Sequence, residues 1–232
     1  MIGRRKSERW KRGWRKIWKG KHHNEDWIMK TDRKWVIVRI DGKISAVSTD
    51  YRLLAELTAR IVRETSDRKT GKYKAEWPYG EIRAEVVTFE DVWDLRNSIR
   101  WEDMILFGTD FQKKVWRKLW EMTHAETKEE HPHPRLICYS DFAELCQNRA
   151  GVRAVAHAIS LNPISVIIPC HLVIPKESID RIREIRRKAE STIFKGDDLC
   201  MESILSDPAI DFGNYALGRD LKRTLISREL FG

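Results

Sequence analysis

The sequence predicts an α+β protein, in which a small N-terminal domain of antiparallel sheet with a helix precedes a mainly helical C-terminal domain. Three observations carry this prediction. Asp41-Gly42 lies between two apolar, β-branched runs, the strongest short hairpin signal a sequence offers. From residue 109 onward the apolar residues recur at three and four instead of two. Between these helical stretches, Ile167-Ile168-Pro169-Cys170-His171 ends an apolar run at a proline, followed at once by a thiol and an imidazole.

Composition sets the outer bounds. The 232 residues, 41% hydrophobic, suffice for one large domain or two small ones with a real core. The apolar runs fall far short of the 18 or so residues that span a bilayer, and no apolar stretch with a cleavage site follows the basic start. A membrane-embedded or secreted protein is therefore not expected; the expected location is the cytoplasm of a prokaryote or the nucleus of a eukaryote. Cys138, Cys146, Cys170 and Cys200 show no CxxC spacing and fit free thiols in a reducing compartment.

The net charge of +9 is concentrated at one end. Residues 1–23 hold ten Lys or Arg against the single acid Glu8, and the remainder balances at 34 of each sign. Trp10, Trp14 and Trp18 share one helical face among those bases. Such a tail, taken as residues 1–24, suits nucleic-acid phosphates, an anionic surface, or plain solvation.

The elements follow in order. In the first domain, residues 25–100, Trp35–Ile40 and Lys43–Val47 form the hairpin strands. Leu53, Leu54, Leu57, Ile61 and Val62 keep helical spacing after Ser48, Thr49 or Asp50 as cap. Residues 81–89 alternate through Ile82, Ala84, Val86 and Phe89 as a further strand. In the second domain, residues 101–232, Thr109 and Gln112 form a capping box for a helix with Phe111, Val115, Leu119 and Met122 inward. His124, His131 and His133 lack cysteine companions and read as loop residues, so no metal site is expected. Ser140 caps a short helix with Phe142, Leu145 and Cys146 inward. After a turn at Asn148–Gly151, a second helix buries Val152, Val155, Ala156 and Ile159, with Arg153, His157 and Ser160 on its other face. Two short helices joined through a glycine form a helix-turn-helix pattern.

Asn162-Pro163 stops the second helix eight residues before Cys170. A free cysteine, with a pKa of about 8.5, is mostly thiol at neutral pH, so a reactive one needs a nearby base. His171 is adjacent, although a buried cysteine beside a histidine is more often packing than chemistry.

Taken together, the motifs resemble the O6-alkylguanine-DNA alkyltransferases, also called methylated-DNA-protein-cysteine methyltransferases. The resemblance runs through Gly108-Thr109-Asp110-Phe111-Gln112 with Val115-Trp116, then Tyr139-Ser140, Arg153-Ala154-Val155, Asn162-Pro163 and Ile168-Pro169-Cys170-His171. It ends with Tyr215, Gly218, Lys222, Leu225 and Glu229 in the last helical stretch. It implies that Cys170 takes the alkyl group irreversibly from guanine O6, once per molecule, and that the base is flipped out of the duplex. It further implies that His171 accepts the thiol proton through a water and that Glu229 polarises His171. Tyr139 would donate to the departing base, and Asn162 would hold the active-site turn. Arg153 would fill the stack; Ala154, Ser140, Tyr139 and His157 would lie against DNA, and Tyr215, Ala216 and Pro169 would line the pocket. The implied partner is duplex DNA carrying O6-alkylguanine, met by a monomer without cofactor.

The chain departs from the family pattern at several points. Leu172 stands where an arginine is usual, Ala216 where a serine is common, and His157 where the residue is small. A charged insertion over residues 176–211 replaces a short glycine-rich loop, and its Ile179, Ile182, Ile185, Ala189 and Ile193 spacing predicts an added helix. Two other functions fit parts of the pattern: a non-catalytic lesion-binding module, and a helix-turn-helix regulator whose Cys170 is structural or redox-sensing.

Overall fold

A computed structural model describes residues 34–50, 79–124, 136–190 and 207–231, with residue 204 and Arg52, Ala55, Leu57 and Ala59 to Ile61 between. The basic tail, Leu53, Leu54, Val62, His131, His133, Ile193 and Cys200 lie outside the described residues.

The hairpin forms where Asp41-Gly42 places it. Strands β1 (Trp35–Ile40) and β2 (Lys43–Ser48) pair antiparallel around a turn in which Asp41 and Gly42 both take positive φ, 50° and 79°. Two successive positive-φ residues give the turn whose twist matches its strands. The Asp41 carboxylate then accepts from the Gly80 and Glu81 amides, each at 2.8 Å, which brings in β3 (Ile82–Val87) against β1. The order is β2-β1-β3.

Alternation along β1 decides what the sheet covers, since successive side chains face opposite sides. Val36, Val38 and Ile40 join Leu57, Ile61 and Phe107 on one face. Trp35 and Ile37 join the main core on the other. The third strand differs from its expected pattern. It is an exposed edge, with Val86 63% accessible, and Phe89 belongs to the next helix because Thr88 and Asp91 close a capping box there.

That helix, α1 (Phe89–Ser98), leads through a short turn at Trp101–Asp103 to α2 (Asp110–His124). The predicted box is present: Gln112 accepts from the Thr109 amide and the Thr109 hydroxyl accepts from the Gln112 amide, at 2.9 and 3.2 Å. His124 closes this helix and is not a loop residue. Its ring stacks on Trp120 at 4.4 Å, and its Nε2 lies 2.8 Å from the Arg96 carbonyl oxygen.

Helices α3 (Tyr139–Leu145) and α4 (Val152–Ser160) form the helix-turn-helix, joined through Gln147 at φ 56° and a 3₁₀ turn at Arg149–Gly151. Two expectations change here. Tyr139, not Ser140, begins α3, because the Ser140 hydroxyl bonds Asp141 and the Cys138 sulfur instead of capping. Leu145 is 52% exposed, and Ala143 takes its place inward beside Phe142 and Cys146. In α4 the buried residues are Val155, Ala158 and Ile159, with Ala156 half-buried.

The two halves share one core. Trp35, Ile37 and Val47 meet Trp116, Leu119, Phe142, Ile159, Ile164, Cys170 and Leu225 in a single apolar cluster. Backbone bonds stitch the same seam: Val47 donates to the Pro163 carbonyl and accepts from the Ser165 amide, at 2.9 and 3.0 Å. The outer edge of β2 therefore grips the segment leading to Cys170. Beyond it, β5 (Val173–Ile174) pairs in parallel with β4 (Ile137–Cys138). The insertion supplies the predicted helix, α5 (Lys176–Glu190), which buries Ile179 and Ile182; α6 (Arg219–Phe231) closes the described chain.

Trp116 is the peg between α2 and α4. It is fully buried and its Nε1 donates to the Ala158 carbonyl at 2.8 Å. Trp116→Ala leaves a cavity and removes one of the two donors to the Ala158 carbonyl, the other being the Leu161 amide, and should cost about 3–5 kcal/mol in urea denaturation. A loss below about 1 kcal/mol would contradict this packing.

Candidate active site

Cys170 sits in the first position of a 3₁₀ turn, Cys170–Leu172, between the buried run Ile164–Ile168 and β5. The turn is pinned from above by Asn162. Its side-chain amide nitrogen donates to the Ile168 carbonyl at 2.8 Å and to the Cys170 sulfur at 3.1 Å, while its oxygen accepts from the Ile164 amide at 3.0 Å. One buried side chain thus fixes the loop and addresses the thiol directly.

Burial pushes the Cys170 thiol up, so it rests protonated. The groups opposing that shift are the Asn162 amide, the Lys222 charge and the Tyr215 hydroxyl, all favouring thiolate once it forms. Burial likewise raises Tyr215, well above its ordinary range, and Tyr139, so both rings keep their protons and remain donors. The Tyr215 hydroxyl is buried beside Cys170 and Ser165 yet completes no hydrogen bond of good geometry among the described residues.

The imidazole next door is wholly buried. His171 Nε2 lies 2.8 Å from Glu229 Oε1, 58 residues away on α6. Burial pushes His171 below its usual value despite that carboxylate, so the ring is neutral near pH 7. Burial alone would raise the Glu229 carboxyl, but the His171 hydrogen bond and the charge of Arg96 outweigh it and hold Glu229 ionised. An ionised carboxylate only accepts, so Nε2 carries the ring proton and Nδ1 is left with its lone pair. Nδ1 is buried with no hydrogen-bond partner among the described residues. The ring is therefore arranged as a base.

Two residues of this site have no counterpart in the sequence-derived roles. Arg96, from α1 in the N-terminal half, binds Glu229 with both terminal nitrogens; Nη2 reaches Oε2 at 3.0 Å and Nη1 reaches Oε1. Its guanidinium also lies over Trp93, 4.8 Å from the ring centre. The distance of 133 residues between Arg96 and Glu229 hides this pair from any local pattern. Lys222, about two helical turns before Glu229, is 1% exposed; its Nζ donates to the Val173 carbonyl at 2.8 Å, and burial brings it down to about 8. The motif containing Lys222 was visible, but its burial beside the thiol was not.

The remaining sequence-derived residues fall in two groups. Tyr139 and Tyr215 stand with Cys170, and Pro169 is buried just before it. Tyr215 belongs to a turn ahead of α6, and Ala216 beside it is exposed. Arg153, Ala154 and His157 are exposed on α4, and Ser140 on α3, outside the buried cluster. Leu172 is buried, and the cation paired with Glu229 comes from Arg96. Among the described residues no group of three or more His, Cys, Asp or Glu could hold a metal ion.

The helix-turn-helix of α3 and α4 is thus followed by a buried thiol with a neutral imidazole beside it, held by a carboxylate. Residues 110–190 match the family model described as 6-O-methylguanine DNA methyltransferase, DNA binding domain. Similar curated proteins include a probable methylated-DNA–protein-cysteine methyltransferase of Acanthamoeba polyphaga mimivirus, 42% identical over 76 residues, or 33% of this chain and 45% of that protein. Another is the methylated-DNA–protein-cysteine methyltransferase of Methanosarcina mazei, 42% identical over 67 residues, 29% of this chain and 37% of that one. The chain thus spans less than half the length of these relatives. Among solved structures, an O6-methylguanine-DNA methyltransferase of Pyrococcus kodakaraensis KOD1 is 16% identical, with a TM-score of 0.46 over 88% of this chain and 95% of that one.

Folded, His171 and Glu229 both bind protons less readily than their ordinary values of 6.5 and 4.5. Unfolding therefore takes up protons at acid pH, so the stability these groups contribute is present above about pH 6.5 and is lost as pH falls. In denaturant titrations, the wild type should weaken between about pH 6.5 and 5, and His171→Gln should flatten that interval. Equal slopes in the two proteins would contradict a buried neutral imidazole.

Proposed function

We propose that the protein repairs DNA directly, by moving the alkyl group from O6-alkylguanine onto Cys170. The observation that carries this reading is the Cys170–His171–Glu229 constellation beside an exposed α4. His171 Nδ1 receives the thiol proton through a water, and the resulting thiolate is met by the Asn162 amide, Lys222 and Tyr215. Sγ then attacks the alkyl carbon, the carbon–O6 bond breaks, and its electron pair stays with guanine, which takes a proton from Tyr139. The thioether has no route back, so each chain acts once. O6 lies within the base pair, so the nucleotide must leave the stack to reach a buried sulfur. Arg153 at the exposed start of α4 is placed to occupy the gap, with Ala154, His157 and Ser140 against the backbone. The similarity of residues 110–190 to a DNA-binding domain supports duplex DNA as the partner. One chain suffices, no diffusible cofactor takes part, and the reaction belongs where DNA is kept.

Incubation with a duplex oligonucleotide carrying O6-methylguanine should add one methyl to the intact mass, on Cys170, and none to Cys170→Ala. Arg153→Ala should slow transfer from duplex by about tenfold or more, while sparing reaction with free O6-benzylguanine. A protein that binds the duplex and stays unmodified would favour the non-catalytic lesion-binding module.

A further inference from the structure

The relay carboxylate is shared. Glu229 is offered one neutral donor, His171 Nε2, and one permanent cation, Arg96, and all three side chains are at most 5% exposed. A buried carboxylate requires a compensating charge. If Arg96 were absent, the nearest group able to supply it would be His171 itself, by becoming imidazolium. Nδ1 would then hold a proton and could accept none from Cys170. With Arg96 in place the Arg96–Glu229 pair is already neutral, and a proton added to His171 would create an unbalanced positive charge. Lys222 faces the same ring from α6 and adds to that penalty, and Cys170 adjoins it on the same turn. On the other side, Arg96 is held by Trp93 under its guanidinium and by the His124 ring at its carbonyl.

We propose that Arg96 is a positioning residue for alkyl transfer: reaching across from the N-terminal half, it clamps the Glu229 carboxylate on two sides and so keeps His171 a neutral Nε2–H tautomer, with Nδ1 free to take the Cys170 proton. This rests on Cys170 as the alkyl acceptor. It also gives the N-terminal half a part in the chemistry, since that half supplies the cation paired with Glu229. The pair differs from an ordinary stabilising bridge in one respect. Its loss should change the protonation of a group it never touches.

The test is an NMR titration of the His171 ring nitrogens in the full chain, assigned by comparison with His171→Gln. In the wild type at pH 7 the shifts should report a neutral ring protonated at Nε2; an imidazolium or an Nδ1–H tautomer would overturn the proposal without any variant. Arg96→Gln keeps a donor for Glu229 and drops the charge. The His171–Glu229 pair should then take up its proton about one pH unit higher or more, and Arg96→Lys should restore the wild-type midpoint. Reaction with free O6-benzylguanine at pH 7 should fall about tenfold in Arg96→Gln and recover as pH rises. An unmoved midpoint with only a lowered melting temperature would reduce Arg96 to a structural bridge and overturn the proposal, as would a lysine that fails to rescue. If the wild type transfers no alkyl group at all, the repair reading fails, while the titration still judges Arg96.

Discussion

The site depends on one buried carboxylate. Glu229 joins α6 to the active-site turn through His171 and to α1 through Arg96, so a single side chain fixes the relation of three segments distant in sequence. A pair of this kind is poor evidence of stability, because removing both charges from water costs about as much as their attraction returns. Its value is in geometry and protonation. The carboxylate chooses the tautomer of His171, and Arg96 keeps the carboxylate charged.

The rest of the architecture serves to hold that cluster dry and fixed. The edge of β2 hydrogen-bonds the backbone on both sides of Ile164, Asn162 anchors the loop from within, and Lys222 ties β5 to α6. Burial raises the thiol, lowers the imidazole and brings Lys222 down to about 8. The first two shifts keep the thiol and the imidazole neutral at rest, while Lys222 stays mostly charged near pH 7. On the thiol and the imidazole, charge appears only when a proton moves between them or to them.

Local patterns were legible where local physics decides them. Asp41-Gly42 could make only a tight hairpin turn, and Thr109 with Gln112 could make only a helix start. The order of Asn162, Cys170, His171, Tyr215 and Glu229 was legible because residue types and spacing recur as a motif. What failed were assignments of facing and of exact ends. Val86 lies on an exposed edge strand, Leu145 turns outward while Ala143 joins the main core instead, and Ser140 gives its hydroxyl to Asp141. His124 reads as a loop residue in sequence because what holds it on α2 includes a contact from afar, its Nε2 at the Arg96 carbonyl. Arg96 was invisible for the same reason: in sequence it is one more helix arginine, and only the fold brings it to Glu229.

The account stands most directly on the fate of Cys170. A titration of the protein with duplex DNA carrying radiolabelled O6-methylguanine measures how many methyl groups each chain can accept. The account predicts a rise that stops at one label per active chain, stable to fresh substrate and absent from Cys170→Ala. Continued turnover, or label retained without Cys170, would contradict it.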